Sequence, residues 1–505
     1  MLKLKVKKIK ISTGNVLVAV MNISDSQFYD LYNGDRIKIE NSNGENITTF
    51  LDITNSDELV PKGTIGIFED TTRHINIKQG ESVTISAQKK PDSITFIKKK
   101  LAGKKLSYEE FYSIIKDISN NRLSDIEITY FVAACYTHEL NDKETVDLTK
   151  AMINTGESLH FGHRLVLDKH CVGGVAGNRT TMMVVPIIAA AGYLMPKTSS
   201  RSITSAAGTA DTVEVLCNVT FSIDQMKKVI SKTNACLAWG GALKLAPSDD
   251  KIIKVESPIS LDPTGQLLAS ILAKKKSVGA NVLLIDIPVG RGAKIEDLSE
   301  AKALKSKFKN IAKKLGMKIK VVITDGSSPI GKGIGPALEA RDVLWTLSND
   351  PRGCKDLREK GMDLAIKLLK LAGESKAKKK VSELIESGKA YEKFIEIIRA
   401  QGGKEVHASD IKLGKNSLDI RASESGTITF IDNKFVNRVA RIAGAPTDKE
   451  AGIYLHIRKG DIVSKGQKLF TIYSNSLEKM DYANEYVKKH FGIEIRSSDP
   501  LFNKV

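Results

Sequence analysis

The chain has 505 residues, more than one hydrophobic core usually supports, so about two to four domains are expected. Its five cysteines are scattered, with no pair at zinc-ligand spacing, which argues against a structural metal site and a disulfide framework. The formal net charge of +18 is compatible with nucleic-acid binding, but the lysine clusters are short, dispersed and not interleaved with aromatic residues. We therefore favour a solvated basic surface over a nucleic-acid partner for the clusters Lys98–Lys100, Lys274–Lys276 and Lys378–Lys380.

Membrane insertion and export are also disfavoured. The longest apolar stretch, Met182 to Met195, is interrupted by Pro186 and Gly192 and is too short to cross a bilayer. The first residues alternate as a strand does and lack the apolar segment of a secretory signal. We predict a soluble, cytoplasmic protein with no membrane partner.

The first part of the chain divides into two regions of different pattern. Residues 1–86 contain short alternating segments separated by Gly, Asn and Asp turns, which predicts a small N-terminal β domain. Residues 94–160 predict a helical domain, because three capping boxes announce helix starts there. The boxes are Ser107 with Glu110, Ser124 with Glu127, and Asn141 with Glu144. The segment Ile126 to Tyr136 is apolar nearly all round, which predicts a buried helix.

The second part returns to strands. Residues 161–400 alternate short apolar strands with amphipathic helices, which predicts an α/β domain with a mostly parallel sheet and ligand loops at the strand ends. Residues 403–505 predict a β-rich C-terminal α+β unit that resembles biotinyl and lipoyl carriers. No lysine stands in a carrier-type Met-Lys-Met turn, so we predict no attached cofactor. The fold class is multidomain α/β.

The loop after the strand at Leu165–Leu167 is rich in glycine. Residues 168–181 carry Lys169 and several glycines, including Gly174, just before an apolar helix. Glycines allow backbone N–H groups to approach an anion closely, and the helix start adds positive potential. We interpret this glycine loop as a phosphate cradle. A plain tight turn explains the glycines about equally well.

A second loop is rich in hydroxyl groups. Residues 197–209 contain seven Ser or Thr residues and Arg201. Burying so many hydroxyls is costly unless something accepts their hydrogen bonds, and a bound phosphate would do so. An exposed Ser/Thr-rich loop is the alternative, although apolar segments on both sides disfavour it.

The string SSRSITSAAGTADTVE, at residues 199–214, resembles the signature of the thymidine and pyrimidine-nucleoside phosphorylases. Asp168-Lys169-His170 followed by two glycines resembles their phosphate loop, and similarity extends to 324–339 and the C-terminal unit, about residues 94–480 in all. The added N-terminal domain and the serine-rich string place the resemblance closest to the branch of that family that acts on AMP.

The resemblance implies roles for individual residues on the attacking phosphate. Lys169, Ser199 and Thr209 would bind it, and Thr181 would join them. Position 171 is Cys171, where the family usually has Ser, and a thiol is a poorer hydrogen-bond donor than a hydroxyl.

The resemblance also implies how the nucleotide would be held. Asp262 would be the proton donor, Ser270 and Lys274 would lie on the base side, and Val255 stands where nucleoside enzymes have a base-binding Arg. Without the resemblance, Asp262 followed by Pro263 indicates only a helix N-cap. The expected nucleotide-binding residues are Gly174, Ser200, Arg201, Ser202, Ile203, Thr204, Ser205, Thr209, Ser270 and Lys294.

The implied reaction is transfer of a ribosyl group to inorganic phosphate, from AMP and, as further candidate substrates, from CMP and UMP, with no cofactor or metal. A homodimer or larger homo-oligomer is expected. The alternatives are a thymidine or pyrimidine-nucleoside phosphorylase, an anthranilate-type phosphoribosyltransferase with a Mg²⁺-diphosphate on Asp249 and Asp250, and a nucleic-acid-binding protein.

Overall fold

A computed structural model describes residues 2–14, 16–162, 164–202, 205–243, 245–259, 261–404 and 407–497. The chain divides into two compact units. The first contains Met1–Thr155 and Pro247–Gln266, and the second contains Gly156–Ala246 and Leu267–Val505.

The N-terminal part of the first unit is a closed β barrel. Its strands and two short helices are β1 (Leu2–Ile9), β2 (Val18–Asn22), α1 (Ile23–Phe28), β3 (Arg36–Glu40), β4 (Asn46–Thr54), β5 (Thr64–Phe68), α2 (Glu69–Thr72) and β6 (Ser82–Ala87). The order around the barrel is β1-β5-β2-β4-β3-β6, with β6 pairing back onto β1. From Leu2 to Val6 of β1 every second side chain is buried, as the alternation of Leu and Lys predicts. The predicted N-terminal β domain is confirmed.

Helices follow the barrel: α3 (Ser93–Leu101), α4 (Tyr108–Ser119), α5 (Asp125–Thr137) and α6 (Asp142–Asn154). All three predicted capping boxes form, at the starts of α4, α5 and α6. The prediction of a buried helix at Ile126 to Tyr136 is wrong for one face of α5, where Ile126, Tyr130 and Tyr136 are exposed, while Phe131 and Val132 are buried on another face. A later helix, Pro247–Glu256, packs on α4 and α5 within this unit.

The second unit opens with an α/β region. Its elements are β7 (Leu167–Cys171), α7 (Thr180–Ala190), β8 (Met195–Ser199), α8 (Thr209–Val213), α9 (Ile223–Thr233), β9 (Ala235–Trp239), then α10 (Pro247–Glu256) of the first unit, α11 (Thr264–Ser277), β10 (Val282–Val289), α12 (Leu298–Lys314), β11 (Lys318–Asp325), β12 (Gly333–Ile334), α13 (Pro336–Leu347), α14 (Lys355–Ala372), α15 (Ala377–Glu386) and α16 (Lys389–Ala400). Strands β11, β10 and β7 pair in parallel, as do β8 and β9, and a bridge from Val166 to Leu194 joins the two sets. The predicted parallel sheet is confirmed.

The core of this region forms around α7, whose side chains are buried from Thr180 to Ala189. It packs on α14 and α16. A helix that is apolar all round must be covered on every side. Burial on all sides fixes α7, and therefore the glycine loop that leads into it.

The C-terminal part contains β13 (Asn416–Arg421), β14 (Gly426–Ile431), α17 (Asn433–Ile442), β15 (Gly452–Leu455), β16 (Ile462–Val463), β17 (Lys468–Ser474), α18 (Leu477–Lys489) and β18 (Ile493–Ser497). Two antiparallel sheets form, in the orders β12-β15-β17-β13 and β16-β14-β18. The predicted C-terminal α+β unit is confirmed. Across the described ranges, no helix has the length and apolar character needed to span a membrane.

Candidate active site

Lys169 lies at the base of the glycine loop, on β7. Its side chain is fully buried, and Nζ donates a hydrogen bond to Thr180 Oγ1 (2.6 Å) in the first turn of α7. Thr180 Oγ1 in turn donates to Asn178 Oδ1 (2.9 Å). Burial lowers the pKa of Lys169 below its usual value. An anion at the start of α7 would therefore favour the charged form of this lysine.

Cys171 is the end of the same strand. Its Sγ accepts a long hydrogen bond from Asn178 Nδ2 (3.5 Å), and burial raises the pKa of the thiol to about 11. The side chain is therefore a neutral thiol near pH 7. It braces Asn178 within the loop.

Gly174 brings the glycine loop against the loop that carries Lys294. Its φ is +90°, and a Cβ built at this position would lie 2.0 Å from the backbone N of Lys294. Only glycine allows this approach. Lys294 itself is exposed. Two of the predicted nucleotide-binding residues therefore meet through their backbones.

The hydroxyl-rich loop follows β8 and folds around Asp211. One carboxylate oxygen of Asp211 accepts from Ser202 N (2.7 Å) and Gly208 N (2.8 Å). Ser202 Oγ donates to the carbonyl of Ser205, and Ser205 Oγ donates to the carbonyl of Ala207 (3.0 Å). The hydroxyls of Ser202 and Ser205 thus have partners inside the loop. The predicted residues Ile203 and Thr204 lie outside the described residues.

Arg201 is engaged by carboxylates in this structure. Its guanidinium donates to both oxygens of Glu214 (2.6 and 2.7 Å) and stacks on Trp239, 4.8 Å from the ring centre. The hydrogen bonds from Arg201 lower the pKa of Glu214 to about 2. Arg201 therefore attaches the hydroxyl-rich loop to Glu214 and Trp239 through its guanidinium group.

The remaining phosphate candidates lie at element ends of the second unit. Ser199 ends β8, Thr209 begins α8, and Thr181 is the buried second residue of α7. A Cβ at Gly208 would lie 2.6 Å from Ser200 O, so the start of α8 presses against the end of β8. This contact brings Thr209 beside the Ser199–Ser202 turn.

A buried ion pair that the sequence did not reveal joins the two loops. Arg179, at the end of the glycine loop, donates to the Glu339 carboxylate and to the carbonyl of Ala207. Glu339 is 2% exposed and also accepts from Thr212 Oγ1 (3.1 Å) and Gly335 N (3.2 Å). Glu339 is the last residue of the segment 324–339 that resembles the family, and the resemblance implied no role for it.

A second buried group lies behind Lys169. Asp168 is completely buried between Lys275 Nζ (3.0 Å) and Lys197 Nζ (3.4 Å). Burial, with the nearby lysines, lowers the pKa of His170 well below its usual value, so the imidazole is neutral near pH 7.

The interpretation of Lys274–Lys276 as solvated surface is wrong for Lys275, and the same interpretation is wrong for Lys100, which is buried against Glu144 (2.8 Å).

The base-side candidates occupy the segment before α11 and α11 itself. Ser270 and Lys274 are one helical turn apart and partly exposed. Asp262 is exposed and lies in the Pro247–Gln266 segment of the first unit. Asp249 and Asp250, the pair of the phosphoribosyltransferase alternative, differ in environment, because Asp249 is buried and Asp250 is exposed. Within the described residues no group of three or more His, Cys, Asp or Glu side chains is arranged to hold a metal ion.

Three family models match the chain. Residues 94–156 match the helical bundle domain of a glycosyl transferase family, and residues 163–391 match the α/β domain of that family. Residues 427–494 match the C-terminal domain of pyrimidine nucleoside phosphorylases. The matches follow the helical, α/β and C-terminal parts of the fold.

Curated relatives match nearly the whole chain. An AMP phosphorylase of Pyrococcus furiosus is 45% identical over 483 residues, covering 95% of each chain. An AMP phosphorylase of Methanocaldococcus jannaschii is 42% identical over 500 residues, covering 98% of each. Among solved structures, anthranilate phosphoribosyltransferase from Thermus thermophilus matches with a TM-score of 0.52 and 17% identity, covering 61% of this chain and 99% of that one. At this identity the structural match shows a shared fold.

Proposed function

This chain belongs to the AMP phosphorylase family, and on that premise we propose that it cleaves AMP with inorganic phosphate to give adenine and ribose 1,5-bisphosphate. The observation that carries the proposal is the similarity to AMP phosphorylases over nearly the full length of the chain. The geometry supports it, because two loops suited to anions are tied together by the Arg179–Glu339 pair. A nucleotide phosphorylase needs two anion sites, one for the attacking phosphate and one for the 5′-phosphate.

The attacking phosphate would bind at the start of α7 and α8. Lys169, on β7, would supply positive charge to the phosphate, and the hydroxyls of Ser199, Thr209 and Thr181 would donate hydrogen bonds to it. Helix starts carry unpaired N–H groups, which favour an anion there. Fixing phosphate in this way removes much of the entropic cost of bringing it to C1′ of the ribose.

The 5′-phosphate would bind among the glycine loop, the hydroxyl-rich loop and the Lys294 loop. The close approach of Gly174 to Lys294 N supports this placement. The hydroxyl of Ser200 and backbone N–H groups of the segment 200–205 would add hydrogen-bond donors. Arg201, held by Glu214, would contribute by fixing the shape of that segment.

The departing adenine would be protonated by Asp262 as its bond to C1′ breaks, while a phosphate oxygen forms the new bond to C1′. Ser270 and Lys274 would lie near the base.

The reaction needs no redox step, so we propose that inorganic phosphate is the co-substrate and that no cofactor takes part. We also propose a cytoplasmic location, because five unpaired cysteines stay reduced there. Finally, we propose that the chain self-associates, because α5 exposes an apolar face.

A substrate panel tests the proposal. The protein is incubated with AMP, CMP, UMP, adenosine or thymidine, with and without phosphate and with EDTA, and the released base is identified. We expect adenine from AMP, only when phosphate is present and unaffected by EDTA. Release of thymine from thymidine without release of adenine from AMP would establish the nucleoside phosphorylase alternative. Dependence on Mg²⁺ and diphosphate would establish the phosphoribosyltransferase alternative.

We predict that Thr209→Ala raises the KM for phosphate by about 10- to 100-fold, because a hydroxyl donor to a charged group is lost. The KM for AMP should change much less. Initial rates at varied phosphate and saturating AMP, and the converse series, give both constants. Thr220→Ala, an exposed threonine of the same unit, is the control. A larger rise in the KM for AMP than for phosphate would mean that the two anion sites are exchanged.

A further inference from the structure

The start of α17, in the C-terminal part of the chain, contacts the loops proposed above to bind the 5′-phosphate. Asn433 is its first residue and is completely buried. Asn433 Oδ1 accepts from the backbone N–H of Ala176 in the glycine loop (2.9 Å). Its Nδ2 donates to the carbonyl of Gly326 (3.0 Å), in the loop after β11. One side-chain amide therefore fixes two loops at once.

Asn437 lies one helical turn further along α17 and repeats the arrangement. Its Oδ1 accepts from the backbone N–H of Ala206 in the hydroxyl-rich loop (3.0 Å). Its Nδ2 donates to the carbonyl of Asn433 (2.9 Å). The amide of Asn437 is thus held by the helix backbone while it binds the hydroxyl-rich loop.

The Lys294 loop lies against the same helix start. A Cβ at Gly292 would lie 3.0 Å from Asp432 Oδ1, and Gly292 N donates to Glu296 Oε1 (3.2 Å), which also pairs with Lys434 Nζ (3.1 Å). Arg291 stacks on Phe430 of β14, 4.0 Å from the ring centre. All three loops assigned above to the 5′-phosphate therefore rest on one short stretch of the C-terminal part.

We propose that Asn433 and Asn437 are positioning residues for the nucleotide, through which the C-terminal part shapes the pocket for the 5′-phosphate. The proposal rests on the function proposed above. Neither side-chain amide would contact the reacting atoms. Each amide holds a loop whose backbone groups would contact the 5′-phosphate. Lys169 and Thr181, assigned to the attacking phosphate, are fixed instead by the pairing of β7 and the burial of α7. The positions of Lys169 and Thr181 therefore do not rest on hydrogen bonds from α17.

The test compares Asn437→Ala and Asn433→Ala with the unaltered chain. Loss of one hydrogen bond to a loop N–H should raise the KM for AMP by about five- to tenfold in each variant. The KM for phosphate and kcat should stay within about twofold, because uniform binding of the nucleotide is what changes. Asn416→Ala is the matched control, since this half-buried asparagine of the same part donates to the carbonyl of Ser474 in β17, away from the three loops.

Binding measurements separate this inference from the proposed reaction. Ribose 5-phosphate carries the 5′-phosphate but no base, so the enzyme cannot turn it over. The rise in melting temperature that it causes therefore reports its affinity for the protein. We expect the alanine variants to lose stabilisation by ribose 5-phosphate while keeping stabilisation by inorganic phosphate. If the unaltered chain releases no adenine from AMP but shows this binding pattern, the proposed reaction fails and the positioning role stands.

Three outcomes would overturn the positioning role. One is an unchanged KM for AMP in an active Asn437→Ala variant, and another is an equal rise in both KM values. The third is an unaltered chain that neither turns over AMP nor binds ribose 5-phosphate. If Asn433→Ala does not fold because of its burial, Asn437→Ala decides the question, since that side chain is only partly buried.

Discussion

Asp262→Asn is expected to lower kcat for AMP phosphorolysis by about 10²- to 10⁴-fold, the usual contribution of a general acid. Adenine leaves C1′ readily only when one of its ring nitrogens takes up a proton, and an amide cannot supply it. The KM for AMP should change little, because Asn keeps the size and much of the polarity of Asp. Steady-state rates of adenine release at saturating phosphate measure both constants.

The control for this variant is Asp250→Asn. Asp250 is also exposed and lies in the same 247–266 segment of the first unit, so a general effect of lost negative charge would appear in both variants. An unchanged kcat in Asp262→Asn would remove Asp262 from the role of acid. Loss of activity in Asp250→Asn with retention in Asp262→Asn would favour the phosphoribosyltransferase alternative.

Local signals in the sequence predicted local structure well. Each capping box needs only residues three apart, and all three boxes form as predicted. The parallel sheet followed from apolar strands that alternate with helices, and the glycine and hydroxyl-rich loops lie at strand ends as expected. These features depend on neighbours along the chain, which a single sequence displays directly.

Long-range pairing could not be predicted in this way. The partners Arg179 and Glu339 are 160 positions apart, and Asn433 and Ala176 are 257 apart. A run of lysines does not reveal which member faces inward. The prediction of a solvated surface fails for Lys275 because its partner Asp168 belongs to a distant strand. Likewise, the carboxylates that engage Arg201 lie on and just after α8, where sequence alone offered no reason to pair them with it.

The second large effect is expected at the buried pair that ties the two anion loops. Glu339→Ala should lower the free energy of unfolding by ~3–5 kcal/mol, because it leaves the guanidinium of Arg179 buried without its counter-ion. Thr212 Oγ1 and Gly335 N also lose their acceptor. Urea unfolding at fixed protein concentration, followed by circular dichroism, measures the change in midpoint.

A double variant distinguishes loss of the charge pair from loss of a packed side chain. Replacing both partners, as Arg179→Met with Glu339→Leu, should recover most of the lost stability, because no buried charge remains uncompensated. Activity should not recover, since Met cannot donate to the carbonyl of Ala207 and the hydroxyl-rich loop loses that tie. Glu485→Ala, which breaks the exposed pair with Lys488 (2.8 Å), should leave the midpoint unchanged. A Glu339→Ala midpoint close to that of Glu485→Ala would show that the Arg179–Glu339 pair does not stabilise the fold, and a fully active double variant would show that the two loops hold their places without it.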